Sequence, residues 1–258
     1  MRAPTLVLAC LIAAAVAAPV VSPYAPDRID LARLRQPPSA AHWFGTDELG
    51  RDVLARVLHG ARVSLAVGLL SALVAGGSGI VIGGAAGYAG GATDTLLMRA
   101  TDAMLAVPRL PLLMIASAFL QPSVPLLVLL IGLAGWMETA RVVRAEFRTL
   151  RSRGFVEGAR ALGAGHARLV ARHLLPNAAQ AAVVSITLAV ARGILLESAL
   201  SFFGVGVRPP QASWGNMLYQ SQATLGTEPW LALAPGIFIL MTTASVNTLG
   251  DRLATRGR

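Results

Sequence analysis

No lysine occurs among the 258 residues; all 22 basic side chains are arginines. That absence removes two kinds of chemistry. A Walker A loop needs its phosphate-binding lysine, so the chain is no P-loop NTPase, and Schiff-base or lysine-nucleophile catalysis is excluded with it. Cysteine is nearly absent too: Cys10 is the single one, which rules out an intramolecular disulfide and, flanked by apolar residues, reads as inert packing. The four histidines, His42, His59, His166 and His173, have neither HExxH spacing nor cysteine partners. No GxSxG elbow is present, and no Ser–Lys pair can be. These gaps leave no catalytic, metal or cofactor-binding residue to nominate. Charge is also scarce. Only 14% of residues are charged against 55% hydrophobic, with a mean hydropathy of +0.62. Such a chain lies outside the range of soluble domains.

What is present is a series of long uncharged runs. They predict an all-α, polytopic membrane protein with about six transmembrane helices: Thr5–Val21, Val63–Ala86, Met104–Leu120, Val124–Met137, Ala178–Leu200 and Leu231–Leu249. The fourth is short unless its helix runs on toward Val143. Arg2 followed by an apolar run and an Ala-rich end has the look of a signal peptide, but the stretch before Cys10 is short and five further spans follow. It is read as a retained first helix. Six crossings put both termini on one side, and the arginine distribution makes that side cytoplasmic. Residues 1–62 then form a first helix and an external segment, residues 63–250 the main transmembrane domain, and residues 251–258 a cytoplasmic tail. The lipid bilayer is the first partner the sequence names.

Several features inside the spans carry structural expectations. Gly79, Gly83 and Gly87, with Gly76 and Gly84 beside them, give overlapping GxxxG spacings and predict close helix contact. Pro108 and Pro111 predict a kink near the third span. Glu138, Arg192, Glu197 and Arg109 are ionisable groups in or near spans, where such groups face a bundle interior or an aqueous cavity. Glu197 is close enough to the outer end to be hydrated. Mid-membrane acids are otherwise few, which argues against a proton-coupled carrier.

The charge that remains is concentrated. Between Arg141 and Pro176 eight arginines face two acids, a local charge of about +6. Arg141, Arg144, Arg148 and Arg151 share one helical face, with Val143, Phe147 and Leu150 on another. Gly154 interrupts that helix, Glu157–Leu162 reads as a short second one, and Gly163-Ala-Gly165 breaks it into a compact elbow. Pro176 opens the next apolar run, where a missing N–H costs least. A solvated surface is the plain reading of His166 and His173. Topology accounts for the arginines before nucleic acid does, so no nucleic-acid partner is expected.

The spacing within the elbow is specific. Glu157-Gly158-Ala159, then Gly163, then nine residues to His173, followed by Leu174, Leu175 and Pro176, resembles the EAA motif of permease subunits of bacterial ABC importers. Gly158 stands where that motif has alanine. Three further segments, His42–Leu65, Gly90–Leu113 and Ser201–Leu218, resemble the second, C-type permease subunit of the dipeptide/oligopeptide/nickel group. The resemblance implies a type I ABC importer permease fold in the bacterial inner membrane. It implies a homologous permease beside it, two ABC ATPase subunits and an extracytoplasmic solute-binding protein, with ATP used by the partners and no cofactor bound by this chain. It makes 141–176 the coupling loop, with Glu157, Gly158, Ala159, Arg160, Ala161, Leu162, Gly163, Leu175 and Pro176 as ATPase-coupling residues. Gly163 would allow the sharp exit, Ala159 and Ala161 a close approach, and Arg160 an ion pair.

In the outer segments, Arg208, Trp214 and Asn216 lie in the part of the family that faces the binding protein, and with Glu197 they are candidates for pathway or receptor contact. An interfacial anchor is the alternative for the Trp-rich loop. Gly45-Thr-Asp47 and Gly50-Arg-Asp52 combine turn residues with acids suited to a helix cap. The competing class is a non-ABC secondary transporter or a membrane scaffold. No inverted repeat with broken helices in both halves supports the carrier, and a scaffold needs no fixed elbow spacing.

Overall fold

The computed structural model describes residues 3–121 and 123–255. Arg2, Arg256 and Arg258, which contribute to the orientation argument, lie outside the described residues. In chain order the helices are α1 (Ala3–Val21), α2 (Val53–Ala89), α3 (Gly91–Ala106), α4 (Arg109–Leu120), α5 (Val124–Leu133), α6 (Trp136–Arg151), α7 (Gly154–Ala161), α8 (His166–Leu169), α9 (Leu175–Phe202), α10 (Trp214–Ser221) and α11 (Trp230–Thr255). A π turn at Val170–Leu174 joins α8 to α9. Among the described residues the sole β-type pairing is an isolated bridge between Thr46 and Asp52.

Four runs, Ala3–Val21, Val53–Ala89, His166–Phe202 and Trp230–Thr255, are long and apolar enough to cross a membrane unbroken. Two bent pairs bring the number to six: α3 with α4 at 80°, and α5 with α6 at 44°. The expected third span is thus not one helix with a kink. Val107 and Pro108 are extended, Pro108 caps α4, and Pro111 falls in the first turn of α4, where its missing N–H breaks no bond. The fourth does run past Val143, to Arg151.

α2 is the axis of the fold. Its 37 residues span about 55 Å, well beyond a bilayer's hydrocarbon core of about 30 Å. Ten of them precede the expected start at Val63, so the division drawn at residue 62 falls within a continuous helix; likewise α11 carries past residue 250. The glycine ladder faces α6. A Cβ on Gly83 would lie 2.2 Å from the Ala140 carbonyl oxygen, so the two backbones meet there with no room for a side chain. Gly76 instead receives the Ile186 side chain of α9, which a Cβ there would meet.

Three apolar clusters lie along this axis. Val53, Val57, Ile194, Trp214 and Leu231 pack at the start of α2; Val67, Leu113, Leu127, Ile131 and Leu200 in its middle; Val143, Phe147, Val156, Leu169 and Leu174 at its end. Large apolar side chains such as Val20, Val81, Phe119 and Leu240 remain outside, at 89%, 71%, 85% and 67% exposure. In water that surface would be a liability. In a bilayer it is the lipid contact.

Candidate functional site: the exposed elbow

The elbow begins where α6 ends. Arg153, in extended conformation, caps α7, and Gly154 is the first residue of that helix rather than a spacer before it. Only one side of α7 packs inward: Val156 is fully buried and Ala159 half-buried, against Val143, Phe147, Leu169 and Leu174. Glu157, Gly158, Arg160 and Ala161 are exposed on the other side. Phe155 and Leu162 are exposed as well, at 47% and 91%.

Gly163 stops the helix by a defined device. Its φ is +83°, its N–H donates to the Arg160 carbonyl, and the Ala164 N–H donates to the Ala159 carbonyl, each at 3.0 Å. This is a Schellman motif, in which the residue after the cap must be left-handed. A Cβ at 163 would meet nothing within 4 Å, so the requirement for glycine is one of backbone conformation, not of space. Gly158 is likewise unobstructed.

The return limb is built around the proline. Pro176 has no N–H for the Arg172 carbonyl, yet the helix continues from His166 to Phe202. The chain accommodates it with the π turn, in which Leu175 N–H reaches back to the Val170 carbonyl, and Asn177 Nδ2 donates to the His173 carbonyl at 2.6 Å. Leu175 and Pro176 are exposed. His166 and His173 are not merely solvated: Tyr88 Oη hydrogen-bonds His166 Nδ1, and the Phe155 and His173 rings sit 6.4 Å apart. They tie the elbow to the end of α2 and to itself.

The arginines divide sharply. Arg144 holds Asp94 of α3 through two hydrogen bonds, with Arg148 at 3.9 Å from the same carboxylate. Arg141 pairs with Asp102, and Arg151 donates to the Tyr88 and Ala89 carbonyls that end α2. The cationic face of α6 therefore packs α3 and caps α2. By contrast Arg153, Arg160, Arg168 and Arg172 are all exposed, and among the described residues none has an acid within ion-pair range.

The opposite end of α2 carries the residues considered for receptor contact. Glu197 is fully buried rather than hydrated: Ser64 Oγ and Ser201 Oγ each donate to it at 2.8 Å. Trp214 is fully buried as well, its indole N–H on the Val57 carbonyl at 3.1 Å, so it is no headgroup anchor. Asn216 completes a capping box with Ser213 at the start of α10. These three join α2, α9 and α10 inside the chain. Arg208 alone of the four is exposed, donating to Gln121 Oε1 at 3.3 Å. Around them the segment before α2 forms a polar cap: Asp47 binds the Leu49 and Arg51 N–H groups and the Arg51 and Arg56 guanidiniums, and Asp52 caps α2 on Ala55 N–H while holding His42 Nδ1 at 2.8 Å.

A bundle of crossing and broken helices, with a short exposed helix inserted between two of them, is the architecture of a multi-pass membrane permease. The chain belongs to the family of binding-protein-dependent transport system inner membrane components, whose model matches residues 79–258. It is 40% identical over 91% of its length to a putative peptide permease protein of Brucella suis biovar 1, covering 78% of that protein. It is 38% identical to the dipeptide transport system permease protein DppC of Bacillus subtilis, over 96% of this chain and 78% of that one. The oligopeptide transport system permease protein OppC of the same organism is 35% identical over 96% of this chain and 81% of its own. Among solved structures, a chain of the MetNI methionine ABC transporter in inward-facing conformations superposes with a TM-score of 0.59 at 18% identity, covering 78% of this chain and 96% of that one. An amino acid ABC transporter gives 0.57 at 14%, over 78% and 94%. The structural likenesses speak to fold. The chain is a membrane permease subunit of an ABC transporter, in which hydrolysis of ATP belongs to other subunits.

Proposed function

We propose that this chain is the C-type permease of a peptide importer, forming half of a translocation pathway with a homologous permease and coupling to two ATPase subunits through the 141–176 loop. One observation carries the coupling assignment: α7 buries Val156 and leaves Phe155, Arg160 and Leu162 outward beside arginines that find no acid among the described residues. An apolar tip ringed by uncompensated positive charge suits an acidic cleft on a partner. Glu157 to Gly163 with Leu175 and Pro176 would form the contact, ATP-driven closure of the ATPase pair moving the elbow as a rigid body. That puts the elbow and both termini on the cytoplasmic side. Arg208 and the loop around it would then face the solute-binding protein. Peptide as the solute rests on the named relatives.

Cys10 leaves the test simple. In a Cys10→Ser background, Leu162→Cys paired with cysteines introduced around the ATPase cleft should cross-link in membranes, and the yield should change with ATP. Normal ATP-driven peptide uptake without any cross-link from 155, 160 or 162 would overturn the docking assignment, and ATP-independent uptake by the chain alone would overturn the class of mechanism.

A further inference from the structure

One charged cluster lies far from both the elbow and the cap. Glu138 of α6 hydrogen-bonds Arg109 of α4 at 2.9 Å and is in direct contact with Arg192 of α9. Among the described residues this carboxylate is the sole acid in ion-pair range of either guanidinium. One negative charge thus serves two positive ones, about 24 Å along α9 from Pro176, at the depth of the apolar spans. Each guanidinium carries five N–H donors, and one shared carboxylate leaves most of them unfilled. An uncompensated cation at that depth is costly unless water or a ligand reaches it.

A cleft does reach it. A cavity of about 520 Å³ runs between α6 and α9, with Glu138, Val142 and Glu146 along one wall and Asn177, Gln180, Ser185 and Arg192 along the other. Arg192 and Glu138 both line it, and their side chains are 39% and 37% exposed. Asn177 and Ala254 mark its elbow end. Glu146 lies eight residues from Glu138 on the same side of α6, about 12 Å away along the axis, and among the described residues no arginine pairs with it. The cleft is therefore cationic at its deep end and anionic toward the elbow.

We propose that this cleft binds a zwitterionic short peptide, its C-terminal carboxylate on Arg192, whose own acid is shared with Arg109, and its ammonium toward Glu146. Arginine is suited to the first contact because its fork matches a carboxylate in two parallel bonds. The 12 Å between the charged ends accommodates about three extended residues at roughly 3.3–3.6 Å each. The wall between them mixes Gln180, Ala181 and Ser185 with Val142, Val184 and Leu188, a surface that accepts varied side chains. The assignment rests on the reading of the chain as a peptide permease and adds the residues that would meet the solute inside the membrane.

The test uses the assembled permease–ATPase complex without its solute-binding protein, so that receptor selectivity does not enter. Trialanine and trialanine amide are titrated against it by calorimetry. Trialanine should bind and the amide should bind at least about tenfold more weakly, as expected for loss of a charge-assisted pair. Arg192→Gln should weaken trialanine to the level of the amide and leave the amide unchanged, with Arg192→Lys between. Equal binding of the two peptides, no binding of either, or an Arg192→Gln variant identical to the unaltered complex overturns the proposal. Loss of the second permease from the purified Arg192→Gln complex also overturns it, by assigning the free donors to a carboxylate of that subunit. Peptide uptake by the unaltered importer with its receptor is measured separately, and its absence would count against the functional reading instead.

Discussion

The two ends of α2 use arginine in opposite ways. At the start of the helix Arg51 and Arg56 are 4% and 1% exposed, share the carboxylate of Asp47, and donate to Gln220 of α10. At the far end Arg153, Arg160, Arg168 and Arg172 are exposed, with no acid in ion-pair range among the described residues. A charge that is buried must be matched within the chain, whereas one left unmatched on a surface is available to another chain. The first end is finished; the second is the surface proposed to receive a partner.

Removing the acid of the finished end should produce the largest loss. Asp47→Ala strands the buried Arg51 guanidinium and leaves Arg56 with Asp27 alone, at 3.9 Å, and breaking such a pairing costs about 3–5 kcal/mol. The purified complex should unfold at a clearly lower temperature, and the protein should accumulate poorly in membranes. A mutant as stable as the parent would show that the cap is hydrated and the contrast between the ends unfounded. At the elbow the effect should fall on transport. Gly163→Ala forces a Cβ into a left-handed conformation at about 1–2 kcal/mol, while the open space around it leaves the fold intact. Uptake should drop severalfold with assembly unchanged. Gly163→Asn, which tolerates that conformation better, should recover part of it. Equal uptake in all three would mean that the helix stop does not position the contact.

How far these features could be read in the sequence depends on how local they are. The GxxxG spacing needed only one helix, and Gly83 does lie against Ala140. Asp52 as a helix cap followed from turn chemistry a few residues long. The elbow was legible because glycine and proline mark chain conformation directly, although α7 begins at Gly154 and not at Glu157. The π turn was missed; its signal, a proline inside a run whose apolar pattern does not stop, was present at Pro176. The arginine face of α6 was read as topology alone because its acids, Asp94 and Asp102, belong to another helix. Glu197 was placed in water for the same reason, since Ser64 is 133 residues away. No spacing rule reaches that far.

A smaller test concerns the seam between the cap and the bundle. Trp214→Phe keeps most of the buried ring and removes one donor from the Val57 carbonyl, which as a helix carbonyl retains its backbone partner. The expected loss is about 1 kcal/mol, seen as a modest shift in thermal unfolding with uptake preserved. A loss of transport without a change in stability would instead place Trp214 in the working surface.

The smallest effect should appear on the exposed face of α7. Gly158 stands in mid-helix where the family motif has alanine, and a Cβ there would touch nothing within 4 Å. Within this chain Gly158→Ala has only favourable consequences, since it removes backbone freedom that glycine loses on folding, worth about 0.5–1 kcal/mol. Stability of the isolated permease should therefore rise slightly or stay level. Under the proposed docking, the surface that could object belongs to the partner: a methyl group on the outward face would meet whatever docks against Glu157, Arg160 and Leu162. Unchanged uptake would show that the ATPase cleft accepts alanine at this position. Reduced uptake in a more stable protein would show that the cleft is fitted to glycine, which would make the contact closer at 158 than at the flanking arginines.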